Sequence, residues 1–143
     1  MLKGIPKLLS PELLKALSEM GHGDRLVIAD GNFPAESKGK DAIVIRCDGH
    51  GIPEILEAVL TVFPLDDFVD KAAWLMQVPG GGEEPEIWKK YRDIIEKHER
   101  KGTELLADMP KPEFMEETRK AYLIIASGES ALYANIMLQK GCV

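Results

Sequence analysis

The apolar positions along the chain follow two patterns, one with the spacing typical of helices and the other with the short apolar runs typical of buried strands. Apolar residues at helical spacing predict helices over 11–20, 53–63 and 87–98. Ser10 is a suitable N-cap for the first of these helices, and Pro11 suits its first position. Short apolar runs predict buried strands over 26–29, 43–46, 72–78 and 123–126. Helices and strands thus follow one another in turn.

The segments between these elements are polar or rich in glycine and proline. Residues 33–41 and 79–84 are typical of loops, and 110–114 leads into a short helix that ends at Lys120. Residues 104–109 are a further candidate strand, while the local pattern leaves 132–138 open between helix and strand. Alternating elements favour a largely parallel sheet with helices on both faces, so we expect a single α/β domain over 1–143.

Composition and charge narrow the range of partners. The 143 residues suit one domain, and 45% hydrophobic and 29% charged residues are typical of a globular protein. The net charge of -6 argues against binding to nucleic acid or to an anionic membrane surface. No apolar run reaches the length of a membrane span, and the first residues lack the apolar core of a signal peptide. Cys47 and Cys142 lack metal or redox spacing, which favours a reducing, cytoplasmic setting.

One histidine lies on a tight turn just before the first predicted strand. Gly21 and Gly23 flank His22, and glycine permits both a sharp turn and the close approach of a ligand. Asp30 follows the same strand, and ligands of open α/β sheets bind near strand ends, so His22 and Asp30 are candidates to converge on one cleft. The alternative is purely structural: Gly21 caps a helix with His22 at its negative end, and Asp30 opens a turn.

Other familiar site patterns are incomplete in this sequence. The glycines at 80–82 lack the Gly-Lys-Ser/Thr ending of a phosphate loop and precede two glutamates that would repel an anion. Four polar residues near the glycine turns match no metal-ligand spacing, namely His22, Asp24, Asp48 and His50. The sequence also lacks the Gly-x-Ser-x-Gly of a hydrolase. We therefore expect no metal and no cofactor, and the remaining groups suit acid–base chemistry on a neutral ligand rich in hydroxyl groups.

Longer motifs resemble a known family over nearly the whole chain. They lie at residues 9–14 (LSPELL), 19–24 (EMGHGD), 30 with 33–35 (FPA), 44–46 (VIR), 48–49 (DG), 127–129 (SGE), 133–135 (YAN) and 140–141 (KG). Together they resemble the L-fucose mutarotases and D-ribose pyranases. The N-terminal half is closer to the fucose branch. Tyr133, Ala134 and Asn135 are more like the ribose branch, since fucose members usually have Tyr-Gly-Asn.

The resemblance carries expectations for the fold, the assembly and the site. It implies a three-layer α/β/α domain with a mostly parallel or mixed sheet, in a ring-like homo-oligomer whose sites are shared between subunits. The family's catalytic histidine falls on His22, and its sugar-binding aspartate falls on Asp30. Its C-terminal sugar-contacting segment falls on 133–135, and its basic substrate contact falls on Lys111.

The resemblance also implies a reaction. This is the interconversion of the α and β anomers of a monosaccharide, L-fucose or a related aldose, through acid–base ring opening at His22 without a cofactor. Asn32, Met115 and Lys111 replace the histidine, tyrosine and arginine common in fucose members, so the identity of the sugar is open. A monosaccharide-binding or transport-associated protein without catalysis is the alternative. A structural ring protein that scaffolds other proteins of sugar metabolism is a third reading.

Overall fold

One mixed sheet of six strands runs through the computed structural model, which describes residues 1–143. The strands are β1 (Arg25–Ala29), β2 (Ile43–Cys47), β3 (Ala73–Met76), β4 (Leu106–Met109), β5 (Leu123–Ser127) and β6 (Ile136–Gln139). They lie in the order β2-β5-β1-β6-β3-β4. β2, β5 and β1 pair in parallel, as do β3 and β4, whereas β6 runs antiparallel between β1 and β3. Of the two expected forms, a mostly parallel or a mixed sheet, the structure therefore has the mixed one.

Helices cover both faces of this sheet. They are α1 (Pro11–Glu19), α2 (Ala35–Lys38), α3 (Ile52–Val62), α4 (Ile87–His98) and α5 (Lys111–Arg119), with 3₁₀ turns at Pro79–Gly81 and Gly102–Leu105. Ser10 caps α1 as predicted, because its hydroxyl oxygen accepts a hydrogen bond from the backbone N–H of Leu13 at 3.2 Å. No helix of the structure combines the length and the apolar character needed to cross a membrane.

Alternate residues of the strands belong to two separate apolar layers. In β1, Leu26 and Ile28 join a cluster of 28 buried residues that includes side chains of α1, α3 and α4. Val27 and Ala29 join a smaller cluster of 10 buried residues that includes side chains of α2 and α5. The three-layer α/β/α arrangement expected from the resemblance is therefore confirmed.

Most of the predicted elements are confirmed, and two predictions are corrected. The segment 33–41 is not all loop, because α2 forms one turn there; a single turn holds too few apolar positions to show helical spacing. α5 begins at Lys111, earlier than predicted, because prolines fit the first helical turn, where backbone N–H groups have no partner. The open segment at 132–138 ends in β6, whose first three residues are all buried, so no polar alternation marked it as a strand.

Candidate functional site

A cleft of about 330 Å³ opens where β1 ends and β6 begins. The antiparallel pairing of these strands places the start of β6 beside the end of β1. Six of its ten lining residues come from three parts of the chain: Asp30 and Asn32 after β1, Tyr133 and Asn135 before β6, and Lys111 and Met115 on α5. Four of the six predicted site residues thus line one cleft: Asp30, Lys111, Tyr133 and Asn135. The three positions that differ from fucose members, Asn32, Lys111 and Met115, line the same cleft.

Asp30 is the buried acid of this cleft. Its backbone N–H donates to Asn135 Oδ1 at 2.7 Å, and one carboxylate oxygen accepts from the backbone N–H of Asn32 at 3.0 Å. Burial raises the pKa of Asp30, and hydrogen bonds from Asn32, Asn135 and nearby backbone groups offset part of that rise. Asp30 is therefore a strong hydrogen-bond acceptor held close to the base of the cleft.

Two aromatic residues of α4 hold the opposite wall in place. Tyr133 has a left-handed backbone with φ of 54°, which is uncommon for a residue with a large side chain. Its carbonyl accepts from the indole N–H of Trp88 at 2.8 Å, and the carbonyl of Ala134 accepts from the Tyr91 hydroxyl at 2.8 Å. An uncommon backbone conformation persists only where the surrounding structure holds it, and these two hydrogen bonds hold residues 133 and 134.

Ala134 differs from the other predicted binding residues. Its side chain is fully buried in the larger apolar cluster and does not line the cleft. Its backbone instead acts to lower the pKa of the nearby Asp30 carboxyl group. Ala134 thus influences Asp30 through its backbone, and its methyl group does not line the cleft.

His22 lies away from this cleft within one chain. His22 precedes β1, whereas Asp30 follows it, and a five-residue strand spans about 16 Å. The expectation that the two residues converge on one cleft is therefore wrong for a single subunit. The sequence reasoning treated both ends of one strand as neighbours, although they lie at opposite edges of the sheet.

Two backbone hydrogen bonds hold the turn that carries His22, one within the turn and one to the end of β6. The backbone N–H of Gly21 donates to Asp24 Oδ2 at 2.7 Å, and that of Gly23 donates to the carbonyl of Lys140 at 2.9 Å. Gly23 has a φ of 89°, a value that favours glycine, whereas Gly21 keeps an ordinary backbone. The turn therefore needs glycine at 23 for its conformation.

Asp66 is a partner of His22 that the sequence reasoning missed. His22 Nε2 lies 3.0 Å from Asp66 Oδ2, with the His22 side chain 46% exposed and the Asp66 side chain only 2% exposed. Burial acts to raise the pKa of Asp66, but hydrogen bonds from Gln139, the Phe68 backbone and His22 outweigh it and hold that pKa below its usual range. The Phe68 ring meets the His22 ring edge-on, with centroids 5.4 Å apart.

Other parts of the molecule offer less chemistry. A larger groove of about 730 Å³ near the N-terminus is mostly apolar, and its only charged side chains are Lys7 and Lys15. No group of three or more histidine, cysteine, aspartate or glutamate side chains is arranged to hold a metal ion. Among the predicted site residues, those suited to binding a polar ligand lie in the Asp30 cleft, and the one suited to moving a proton lies on the His22 turn.

Known proteins are similar to this chain in sequence and in fold over nearly their full lengths. A fucose mutarotase of Mus musculus is 48% identical over 145 residues, which cover 98% of this chain and 94% of that protein. The crystal structure of FucU from Bifidobacterium longum has 59% identity and a TM-score of 0.94, covering 99% of each chain. That of a fucose mutarotase from Streptococcus pneumoniae in complex with L-fucose has 47% identity and a TM-score of 0.93, again covering 99% of each chain. Since the model of the RbsD / FucU transport protein family also matches residues 3–143, this chain belongs to that family.

Proposed function

We propose that this protein is an isomerase that interconverts the α and β anomers of L-fucose, with His22 as the group that moves the proton. The similarity to fucose mutarotases over the full length carries the assignment of reaction and sugar. The polar cleft at Asp30 supports it independently, because carboxylate, amide and phenol groups suit a ligand rich in hydroxyl groups.

Anomer exchange requires one proton to leave and one to arrive. The anomeric hydroxyl loses its proton, the bond from the anomeric carbon to the ring oxygen breaks, and the ring oxygen is protonated; closure on the other face reverses these steps. An imidazole titrates at about pH 6.5, so both of its forms are available near neutrality. One histidine can therefore act as base and then as acid, and the reaction needs no cofactor.

We assign the cleft residues to holding the sugar. Asp30 accepts from sugar hydroxyls, and Asn135 donates through its amide NH₂ group, since its Oδ1 already accepts from the backbone of Asp30. Tyr133 offers an apolar face and a hydroxyl group, and Ala134 contributes through its backbone contact with Asp30. Lys111 donates to a single ring or hydroxyl oxygen.

The proposal requires a second copy of the chain. Because His22 and the cleft lie at opposite ends of β1, a neighbouring subunit docked head to tail brings its His22 to the cleft. Exposed apolar side chains lie at both ends: Phe68 is 72% exposed beside His22, and Leu132 is 68% exposed at the cleft. Head-to-tail contacts that close on themselves form a ring, so we propose a ring-like homo-oligomer with shared sites.

A non-catalytic sugar-binding or transport-associated protein is the second candidate. It is favoured by one observation: the cleft of a single chain contains its hydroxyl-binding groups without His22. This candidate predicts saturable binding of L-fucose with no acceleration of anomer exchange. The cytoplasmic location inferred from the two cysteines stays a prediction of the sequence.

Exchange NMR of L-fucose tests the proposal directly. The rate of magnetisation transfer between the two anomer signals is measured with and without protein, and we expect the protein to raise it. His22→Gln should abolish the increase while keeping sugar binding. His50→Gln is the matched control, because His50 also lies on a turn between a helix and a strand and faces a carboxylate, with Nδ1 3.1 Å from Glu54 Oε1. Equal exchange with and without protein, for L-fucose and for a panel of other aldoses, would leave only the binding candidate.

A further inference from the structure

One face of α4 holds two consecutive carbonyl groups of the segment that leads into β6. Trp88 and Tyr91 lie three positions apart on this helix, so their side chains lie on the same face. The indole N–H of Trp88 donates to the carbonyl of Tyr133, and the Tyr91 hydroxyl donates to that of Ala134, both at 2.8 Å. Residues three apart in a helix rise about 4.5 Å, close to the roughly 3.8 Å between successive Cα atoms. One helix face can therefore reach both carbonyls.

Neither of these carbonyls has a partner in the backbone. No backbone N–H donates to Tyr133 or Ala134, because both residues precede β6 and lie outside its ladder. Ala134 and Tyr91 are both 0% exposed, so bulk water does not reach the bond between them. Burial raises the pKa of Tyr91, and the negative charges of Glu129 and Asp30 raise it further, so the hydroxyl keeps its proton and donates. The conformation of this segment therefore depends on side chains of α4.

The residues on either side of Ala134 belong to the cleft. Tyr133 and Asn135 both line it, and Tyr133 has the left-handed backbone described above. Asn135 Oδ1 also accepts from the backbone N–H of Asp30 at 2.7 Å. A rotation of the peptide groups at 133 and 134 would thus displace two lining side chains and disturb the bond to the buried acid.

We infer that Trp88 and Tyr91 are positioning residues for sugar recognition, which hold the segment 133–135 in the conformation that binds the sugar. This inference rests on the proposed function, which assigns that segment to holding L-fucose. Neither α4 residue lines the cleft, so both act through the backbone of the segment. Since His22 lies at the other end of β1, their loss should weaken sugar binding and leave proton transfer unchanged.

A comparison of KM with kcat tests this role. Exchange NMR at increasing L-fucose concentrations gives both constants for the wild type and for Tyr91→Phe, which removes one oxygen atom and keeps the ring. We expect KM to rise about five- to tenfold, as when a buried carbonyl loses its donor, and kcat to stay close to the wild-type value. A loss of folded protein would instead lower kcat at constant KM. An unchanged KM overturns the inference.

Tyr122→Phe is the matched control for this variant. The Tyr122 hydroxyl also donates one hydrogen bond, to Glu19 Oε2 at 3.0 Å, but this bond lies at the surface, away from the cleft. Its KM should equal that of the wild type. Trp88→Phe should raise KM less than Tyr91→Phe, because Tyr133 is only half-buried and water can replace the lost donor. An equal rise in KM for Tyr122→Phe and Tyr91→Phe contradicts the positioning role.

The indole N–H of Trp88 provides a readout in the wild-type protein. The chain has two tryptophans, and Trp88→Phe identifies which indole signal of the ¹H–¹⁵N spectrum belongs to residue 88. Binding of L-fucose against Tyr133 should shift this signal, because the indole N–H bonds to the carbonyl of that residue. The signal of Trp74, whose ring packs against Arg25, should shift less. A Trp88 signal that does not move at saturating L-fucose overturns the inference.

The outcomes separate the inference from the proposed function. If the wild type accelerates exchange while Tyr91→Phe keeps the full affinity, the positioning role is wrong and the proposed function stands. If the wild type binds L-fucose without accelerating exchange, the proposed reaction fails, and calorimetric affinities of the same variants decide the positioning role. Should Tyr91→Phe fail to assemble, Trp88→Phe and the wild-type spectrum decide it.

Discussion

The two ends of β1 carry the two halves of the proposed site, and they are built differently. At its carboxyl end, Asp30 lies in a cleft whose walls come from distant segments, held by bonds from Trp88 and Tyr91. At its amino end, His22 lies half exposed on a local glycine turn and meets one buried carboxylate, Asp66. One end is shaped to bind, and the other is shaped to move a proton. In the proposed oligomer, recognition and chemistry would therefore be separate within one chain and would meet only between chains.

Mixing two inactive variants gives the largest effect that this comparison predicts. His22→Gln removes the proton-moving half of the site and should lack anomer exchange, and Asp30→Ala weakens the binding half and should show little exchange at L-fucose concentrations below saturation. Subunits that exchange at random in an equal mixture should restore about a quarter of the sites, those that receive an intact His22 from one chain and an intact Asp30 from its neighbour. Exchange NMR before and after mixing measures this recovery.

A double variant controls for this experiment. His22→Gln mixed with a chain that carries both His22→Gln and Asp30→Ala has no intact His22, and it should stay inactive. Recovery in the first mixture but not in the second supports a site shared between chains. An active monomer in sedimentation, or no recovery after verified subunit exchange, contradicts it.

Asp30→Ala alone should reduce binding more than any other change in the cleft. Loss of a buried, charged acceptor is expected to weaken L-fucose affinity by about 1.5–3 kcal/mol, measured by calorimetric titration. Asp48→Ala is the matched control: Asp48 also follows a strand, but it is exposed and pairs with Arg46 at 2.8 Å. Equal losses in the two variants would remove Asp30 from the binding site.

Acid should act on the two halves in a fixed order. Burial raises the pKa of Asp30 above its ordinary 3.8, whereas the hydrogen bonds around Asp66 outweigh its burial and hold its pKa below 3.8. As the pH falls, Asp30 is therefore protonated first and loses its negative charge, so sugar affinity declines while Asp66 still faces His22. Carboxyl ¹³C NMR titration, read beside affinity, checks this order, and Asp30→Asn should remove the acid decline in affinity. Protonation of Asp66 before Asp30 contradicts the contrast between the two ends.

The strands and the larger helices were predictable because their apolar spacing is local and strong. The His22 turn was also predictable, since the flanking glycines are its neighbours in sequence. Asp66 was not, because its bond to His22 joins positions 44 apart and it lies in a polar connection without a motif of its own. The roles of Trp88 and Tyr91 were hidden for a similar reason: helical spacing marks a buried face but does not say which carbonyl its polar atoms reach.

Lys111 should give the smallest effect, on the choice of sugar and not on the reaction. It lies in the first turn of α5, lines the cleft and forms no ion pair in the structure. Its ammonium group can donate to one oxygen, whereas an arginine can hold two oxygens in a fixed plane. Lys111→Arg should therefore shift the exchange rate of L-fucose relative to those of other aldoses, measured across a sugar panel, and change the overall acceleration less.

Lys111→Ala separates the charge from the shape of this contact. Removing the ammonium group should lower affinity for every sugar in the panel, whereas Lys111→Arg should change only their order. Lys7→Ala is the matched control, because Lys7 lines the N-terminal groove and not the Asp30 cleft. If both Lys111 variants leave every rate and affinity unchanged, the start of α5 takes no part in recognising the sugar. Specificity would then depend on Asn32 and Met115, the other two cleft residues that differ from fucose members.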